Sequence, residues 1–257
     1  MKVTLPRLFA VVATCALWSA PARAEESAQD FIKRIDEQMS ISSDYKGIAQ
    51  IREKRADGTE RALEVTVYRR DANEDLLFLI TKPPSIAGGG FLRIEKNLWE
   101  YSAIAGQWER RTRRADLVGT ITCESDFDRA RLSVDYDAAW EEPETAHGVS
   151  YRKLFLKAKP GVEVTFPTLR IWVDPELKVV KRIGYAPSGK PLRVDLIRSY
   201  QRLKDPKTGK EFLHYREVVE RQDEVGTVNV VRYEQVELAP LPANVFTKAW
   251  LEGRIVR

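Results

Sequence analysis

The side chains that most often carry chemistry are few in this chain. It has two cysteines and two histidines, and His147 and His214 lie far apart without the clustered ligands that a metal site requires. Cys123 has no base beside it in sequence that could activate its thiol, so we expect an unreactive cysteine. No nucleophile–base pair and no pair of acids suited to general acid–base catalysis is present. The sequence therefore predicts a protein that is not an enzyme and that uses neither a metal nor another cofactor.

Three alternating acids have part of the composition of a cation site. Glu124, Asp126 and Asp128 follow one another at every second position. The remaining ligands of a calcium loop are missing, whereas acids are common at the solvated start of a helix. We interpret these three residues as such a helix start.

Two further motifs favour binding over catalysis. The glycines Gly88, Gly89 and Gly90 are not followed by the Gly-Lys-Ser/Thr of a phosphate-binding loop, and they predict either a flexible lid or a loop that needs positive φ. The densest basic run contains Arg110, Arg111, Arg113 and Arg114. It could dock an anionic lipid or an acidic partner, or it could be the solvated end of a strand.

The first 24 residues have the pattern of a secretion signal. Two basic residues precede an apolar run over residues 8–18, and Ala22-Arg23-Ala24 forms a cleavage site. We expect a Sec signal peptide (residues 1–24) cleaved after Ala24, and export to the periplasm. Cys15 leaves open a lipoprotein alternative. Removal of three basic residues from 42 leaves 39 Lys and Arg against 38 Asp and Glu, which excludes a global basic excess for nucleic acid.

The rest of the chain, residues 25–257, predicts one domain built mainly from strands. A helical spacing of apolar residues covers 27–39. After it, alternating strands with polar turns recur about every ten residues: 45–55, 63–67, 75–82, 90–96, 97–103, 107–113, 150–158, 162–174, 177–186, 191–203, 211–221 and 226–238. The stretch 114–147 predicts only a short helix over 126–132 and loop. A last short helix is predicted over 245–251.

This pattern predicts a single large antiparallel sheet of about 11–12 strands, which must curl. Few helices are available to fill its concave face, so apolar strand residues either form ordinary core or line a ligand cavity. The alternation does not tell which face lines the cavity. Our candidates for contact with an apolar ligand are Val65, Val67, Leu77, Leu79, Leu92, Trp99, Tyr101, Ile171, Leu192 and Val194.

Residues 82–132 resemble the outer-membrane lipoprotein-sorting proteins of the LolA-like superfamily. The resemblance rests on Lys82-Pro83-Pro84, the Gly88–Leu92 stretch, Leu98-Trp99-Glu100-Tyr101, Arg110-Arg111 and Ser125-Asp126-Phe127. It continues more weakly through Ile171-Trp172-Val173-Asp174, Ser188-Gly189-Lys190 and Asn244-Val245-Phe246-Thr247 to nearly the end of the chain.

The resemblance implies an unclosed antiparallel β-barrel whose hollow is covered by helices and holds acyl chains. It also implies a monomeric periplasmic carrier of lipid or lipidated protein towards the outer membrane. An inner-membrane transporter and an outer-membrane acceptor are the partners such a carrier would meet. A second hypothesis on the same fold stays open: a sensor of envelope stress, or an accessory subunit of an RND-type lipid exporter, docked through the basic run or the acidic stretch 135–144.

Overall fold

Thirteen antiparallel strands form one sheet in the computed structural model, which describes residues 26–94, 97–112 and 116–254. The predicted signal peptide lies outside the described residues. The strands are β1 (Tyr45–Lys54), β2 (Glu60–Arg70), β3 (Asp75–Lys82), β4 (Gly90–Ile94), β5 (Asn97–Ser102), β6 (Gln107–Arg111), β7 (Tyr136–Ala146), β8 (Val149–Ala158), β9 (Thr168–Val173), β10 (Val179–Tyr185), β11 (Pro191–Lys204), β12 (Glu211–Gln222) and β13 (Thr227–Leu238).

Two meanders meet at a single seam, where β1 pairs with β13. From this seam the sheet runs through β2 to β6 on one side and through β12 back to β7 on the other. Strands β6 and β7 are therefore the two edges, and the sheet is not closed. The predicted mainly-β, curled and unclosed architecture is confirmed.

One strand was missed by the sequence analysis. Strand β7 occupies part of the stretch 114–147, which was predicted to contain only a short helix and loop. Most of its side chains are exposed, because the strand lies at the edge of the sheet. The alternation of apolar and polar residues that reveals a half-buried strand is therefore absent. Strand β9 is also shorter than predicted, because residues 159–167 form a loop before it.

Three short helices accompany the sheet. Helix α1 (Ala28–Met39) matches its prediction, and Ser27 caps it by accepting a hydrogen bond from the Asp30 amide. Its buried side chains include Phe31, Ile32 and Ile35, and it packs against β7 and β12. Near the C-terminus, a 3-10 turn (Ala243–Phe246) and α3 (Lys248–Glu252) occupy the region predicted as one helix.

The segment from residue 116 to residue 135 crosses the concave side of the sheet, and we call it the crossing segment. It contains a 3-10 turn (Glu124–Phe127) and α2 (Leu132–Asp135). The continuous helix predicted over 126–132 is wrong. Strand side chains hold the intervening backbone instead: Arg69 Nη1 donates to the carbonyl oxygens of Phe127 at 3.0 Å and Asp128 at 3.1 Å.

Apolar residues form two clusters on opposite faces of the sheet. The larger cluster fills the concave side and includes Phe31, Val65, Phe78 and Ile171. A smaller cluster on the outer face joins Leu77, Leu92 and Tyr101 to Leu251 of α3. Among the described residues, no helix is long and apolar enough to cross a bilayer.

Candidate ligand-binding cavity

A cavity of about 140 Å³ lies under α1 on the concave side of the sheet. It is bounded by α1, the crossing segment, the loop 159–167 and strands β9, β10 and β12. Much of its wall is apolar, with contributions from Ile35, Met39, Leu132, Val164, Phe166, Leu169, Ile171 and Val179. Sites for drug-sized ligands usually enclose about 300–1,000 Å³. The cavity is therefore a small, largely apolar pocket with charged groups in its wall, and it must widen before it can take a long chain.

Helix α1 is fastened over this cavity by the carboxylate of Asp36. Its oxygens accept hydrogen bonds from the Leu132 amide at 3.0 Å and from the amide and hydroxyl of Ser133, both at 2.7 Å. Burial raises the pKa of Asp36, and the bonds from Ser133 and Leu132 oppose that rise. One carboxylate thus joins α1 to α2 at the cavity wall.

Gln29 fastens the beginning of α1 to the open edge of the sheet. Its amide nitrogen donates to the carbonyl oxygens of Ser133 at 3.0 Å and Tyr136 at 3.2 Å, and its oxygen accepts from the Ala138 amide at 3.1 Å. The side chain thereby takes the place of a neighbouring strand at the start of β7. An exposed edge with unpaired backbone groups would otherwise invite pairing with another chain.

The floor of the cavity carries a buried group of opposite charges. Asp126 accepts hydrogen bonds from Arg193 at 2.6 and 2.9 Å and from Arg182 at 2.7 Å. Both arginines also contact Asp195. Burial opposes the ionisation of Asp126, but the two guanidinium groups outweigh it, and the pKa of Asp126 is lowered. The crossing segment is therefore tied to the sheet by ionised groups.

A second arginine-centred group holds the same segment. Arg93 of β4 donates to Glu124 at 2.7 Å and to both oxygens of Asp128, at 2.7 and 2.8 Å. Glu124 and Asp126 do lie in the first turn of a 3-10 helix, but the interpretation of Glu124, Asp126 and Asp128 as solvated is wrong. Each acid is partnered by an arginine that lies distant in sequence, so local spacing carried no signal of the pairing. In the described part of the chain, no group of acids, histidines and cysteines is arranged to hold a metal ion.

Polar contacts continue deeper along the crossing segment. The Thr122 hydroxyl donates a hydrogen bond to Glu220 Oε2 at 2.5 Å and accepts one from the side-chain Nδ2 of Asn229 at 2.9 Å. Burial raises the pKa of Glu220 to about 8; Arg193 opposes this rise, while Asp126 and Asp195 add to it. Nearby, burial raises the pKa of the Cys123 thiol to about 12, which leaves it protonated and unreactive at neutral pH.

The predicted contact residues are divided between the two faces of the sheet. Ile171 lines the cavity, and Val65 and Val67 lie in the concave core. Leu77, Leu79, Leu92 and Tyr101 pack on the outer face near α3, and Lys248 Nζ lies 3.7 Å from the centre of the Trp99 ring on the same side. Leu192 is partly buried against the concave core, whereas Val194 is partly exposed and belongs to neither of the two clusters that the described residues form. The structure therefore does not bring these ten residues together.

Most of the cavity wall was missed by the sequence analysis. Ile35 and Met39 belong to the apolar face of α1. The sequence predicts this helix but does not predict that its apolar face lines the cavity. Val164 and Phe166 lie in the loop 159–167, where no periodicity marks a buried side chain. The helical spacing of apolar residues in α1 could have indicated part of this wall, because a helix that covers a curled sheet must turn its apolar face towards the sheet.

The glycines and the basic run lie away from the cavity. Gly90 starts β4, where a Cβ atom would come within 1.9 Å of the Phe78 carbonyl oxygen, so close packing requires glycine there. None of Gly88, Gly89 and Gly90 lines the cavity. Arg110 and Arg111 lie on edge strand β6, and Arg111 Nε is 3.3 Å from Glu100. Arg113 and Arg114 lie outside the described residues.

An open antiparallel half-barrel with helices over its hollow defines the LolA-like class of folds, and solved structures share it. A LolA superfamily protein from Nitrosomonas europaea is similar with a TM-score of 0.75 and 22% identity, over 88% of this chain and 100% of the other. A DUF1329 family protein from Desulfovibrio piger has a TM-score of 0.76 and 14% identity, over 87% and 97%. An outer membrane lipoprotein-sorting protein domain from Vibrio parahaemolyticus has a TM-score of 0.73 and 14% identity, over 88% and 98%.

Sequence comparison assigns the family. Residues 72–253 match a family model described as an uncharacterized protein, and the chain belongs to this family. Its fold is that of the LolA-like solved structures. No curated protein matches the chain in sequence.

Proposed function

We propose that this protein is a periplasmic carrier that binds acyl chains of lipid or lipidated protein and moves them towards the outer membrane. The observation that supports the proposal best is the largely apolar cavity under α1, a helix that covers the concave side through a buried apolar face and the polar contacts of Gln29 and Asp36. The Sec-type N-terminus predicted from sequence supports the periplasmic location.

The energetics favour binding without charged contacts to the ligand. Transfer of a chain of about 16 carbons from water into an apolar cavity contributes on the order of 12 kcal/mol, at ~0.8 kcal/mol per CH₂. A carrier must also release the chain into a membrane, where the same surface is buried again. A cavity that widens only when α1 moves suits both steps, because the cost of opening offsets part of the binding energy.

The cavity can be blocked to test the proposal. Val164→Trp adds an indole to the loop wall, and we expect it to reduce binding of a fluorescent C16 fatty acid to the delipidated protein at least tenfold. Val162→Trp is the matched control, because Val162 lies in the same loop and packs against the same core but does not line the cavity. Urea unfolding of both variants checks that neither has lost its fold.

Mass spectrometry of the protein purified from its native host provides a second measurement. We expect a co-purified acyl species from the wild type and little from Val164→Trp. Equal fatty-acid binding by both tryptophan variants, with no acyl species on the native protein, would contradict the carrier proposal.

A further inference from the structure

Strand β11 carries its polar and apolar residues on unexpected faces. Its inward positions include Arg193 and Asp195, which are 4% and 1% exposed and pair with Asp126 and Arg182 of the cavity floor. Its outward positions Val194 and Leu196 are apolar and partly exposed. Antiparallel sheets with one solvated face usually present polar residues outward. Burial in the concave core therefore does not account for the apolar residues at the outward positions of β11.

The outward apolar residues continue across four adjacent strands. Ile183 of β10 pairs with Val194, Leu196 pairs with Val219 of β12, and Val219 pairs with Val230 of β13. All five are partly exposed and belong to neither hydrophobic cluster of the described chain. We call Ile183, Val194, Leu196, Val219 and Val230 the outer stripe. A contiguous apolar surface that remains partly exposed is a feature of interaction sites.

Basic residues predominate around the outer stripe, together with the acid Glu217, which pairs with Arg232. The direct cross-strand neighbours of its members include Arg52 beside Val230, Lys181 beside Leu196, Arg170 beside Ile183 and Arg221 beside Val194. Arg170 pairs with Glu141 and Arg221 with Asp223. Arg52 and Lys181 have no ion pair with a carboxylate of the described residues. The surface thus combines an apolar centre with a rim that attracts negative charge.

Three kinds of occupant can be compared against this surface. A second copy of the chain would bring two basic rims together, which is unfavourable. A lipid surface is usually contacted by protruding Trp and Tyr side chains, whereas the stripe consists of flat aliphatic residues. An amphipathic segment packs its apolar side on such a face, and acidic flanks would complement the rim.

We propose that the outer stripe docks a protein partner through an amphipathic segment whose apolar side is flanked by acidic residues. The site lies on the face of the sheet opposite the cavity. Docking there leaves α1 free to move, so it is compatible with a carrier and with an accessory subunit. The proposal does not depend on acyl binding, and the two can fail separately.

Two synthetic helical peptides provide the probe. Both have about 18 residues, five turns of helix, and the same leucine stripe; one is flanked by Glu and the other by Lys. Fluorescence anisotropy with the full mature protein should show at least tenfold tighter binding of the Glu peptide. The double variant Leu196→Thr/Val219→Thr should weaken it at least tenfold, and Arg52→Glu/Lys181→Glu by about fivefold, since an exposed ion pair contributes up to about fivefold in affinity.

Matched controls separate the stripe from other exposed residues. Val225→Thr alters an aliphatic residue that is 52% exposed at a hairpin tip, and Arg202→Glu alters an exposed cation outside the rim; neither should change binding of the Glu peptide. Failure of the Glu peptide to bind, equal binding of both peptides, or binding unaffected by the stripe variants would overturn the proposal. Cosedimentation with phosphatidylglycerol vesicles that is lost in the same variants would also overturn it, because a lipid surface would then be the occupant.

A photocrosslinker identifies the natural occupant. With p-benzoylphenylalanine in place of Val219, the protein expressed in its native host should crosslink to a segment that has an apolar stripe and acidic flanks. A crosslinked segment with basic flanks would contradict the assignment.

Discussion

At the scale of single residues, the most unusual feature is a set of ionisable groups on the concave side of the sheet, where an acyl-binding fold would be expected to be apolar. Arg93, Arg182 and Arg193 each contact acids of the crossing segment or of β11. Removing one partner of such a pair leaves a buried charge and costs about 3–5 kcal/mol. These groups therefore specify where the crossing segment lies, whatever their net contribution to stability.

Glu220 gives this group a dependence on pH. Its pKa is raised to about 8, so between the ordinary pKa near 4 and pH 8 the folded chain keeps a proton that the unfolded chain releases. The contribution of Glu220 to stability is therefore complete below about pH 4 and is lost as the pH rises through 8. We expect Glu220→Gln, which is neutral at every pH, to be more stable than the wild type at pH 9.

Urea unfolding of Glu220→Gln and the wild type between pH 5 and pH 9 measures this effect. The difference in the free energy of unfolding should widen as the pH rises. Glu217→Gln, on the outward side of the same strand, is the control and should show a constant difference. Parallel curves for Glu220→Gln and the wild type would contradict the raised pKa.

At the scale of elements, α1 covers the cavity through a buried apolar face and a small number of polar contacts. Its polar attachments are made by Gln29 and Asp36. We expect Asp36→Asn to weaken the contact with α2 by about 1–3 kcal/mol, because the amide cannot accept all the hydrogen bonds that the carboxylate accepts.

Hydrogen–deuterium exchange detects this opening directly. The amides of Leu132 and Ser133 should exchange faster in Asp36→Asn, while those of the central strands β1 and β13 should not change. Glu37→Gln alters the next residue, which is exposed on the same helix, and should leave all of these rates unchanged. Faster exchange throughout the sheet would instead show that Asp36 supports the whole fold.

At the scale of the whole molecule, the seam between β1 and β13 joins two meanders into one sheet. Deletion of residues 243–257 removes α3 but leaves this seam intact. We expect such a protein to unfold cooperatively, with a loss of at least about 2 kcal/mol, because Leu251 no longer covers Leu77 and Leu92.

Deletion of residues 227–257 removes β13 as well and leaves β1 and β12 without a shared neighbour. We expect no cooperative transition from this second protein. Circular dichroism during thermal unfolding compares the two, and dye binding reports the uncovered outer cluster. A cooperative transition after loss of β13 would show that the two meanders fold independently.

Most of the strands and hairpins were determined by the sequence itself. Apolar alternation and turn residues such as Asp57-Gly58 determine structure through interactions between residues that are close in sequence. They can therefore be recognised from the sequence alone. The spacing of Phe31, Ile32 and Ile35 likewise determined α1. The edge strand β7 could not be predicted from the sequence, because an exposed strand does not need alternating apolar and polar residues.

Only the tertiary structure decided which face each residue occupies. A period of two is the same for both faces of a strand, so the sequence patterns around Leu77 and Val65 do not distinguish the two residues. In the structure, Leu77 lies under α3 and Val65 lies in the concave core. The burial of Asp126 depended on Arg193, which lies 67 residues away. A charge enters the interior only where a partner from a distant strand compensates its lost hydration, and that partner is identified by the fold, not by its neighbours in the chain.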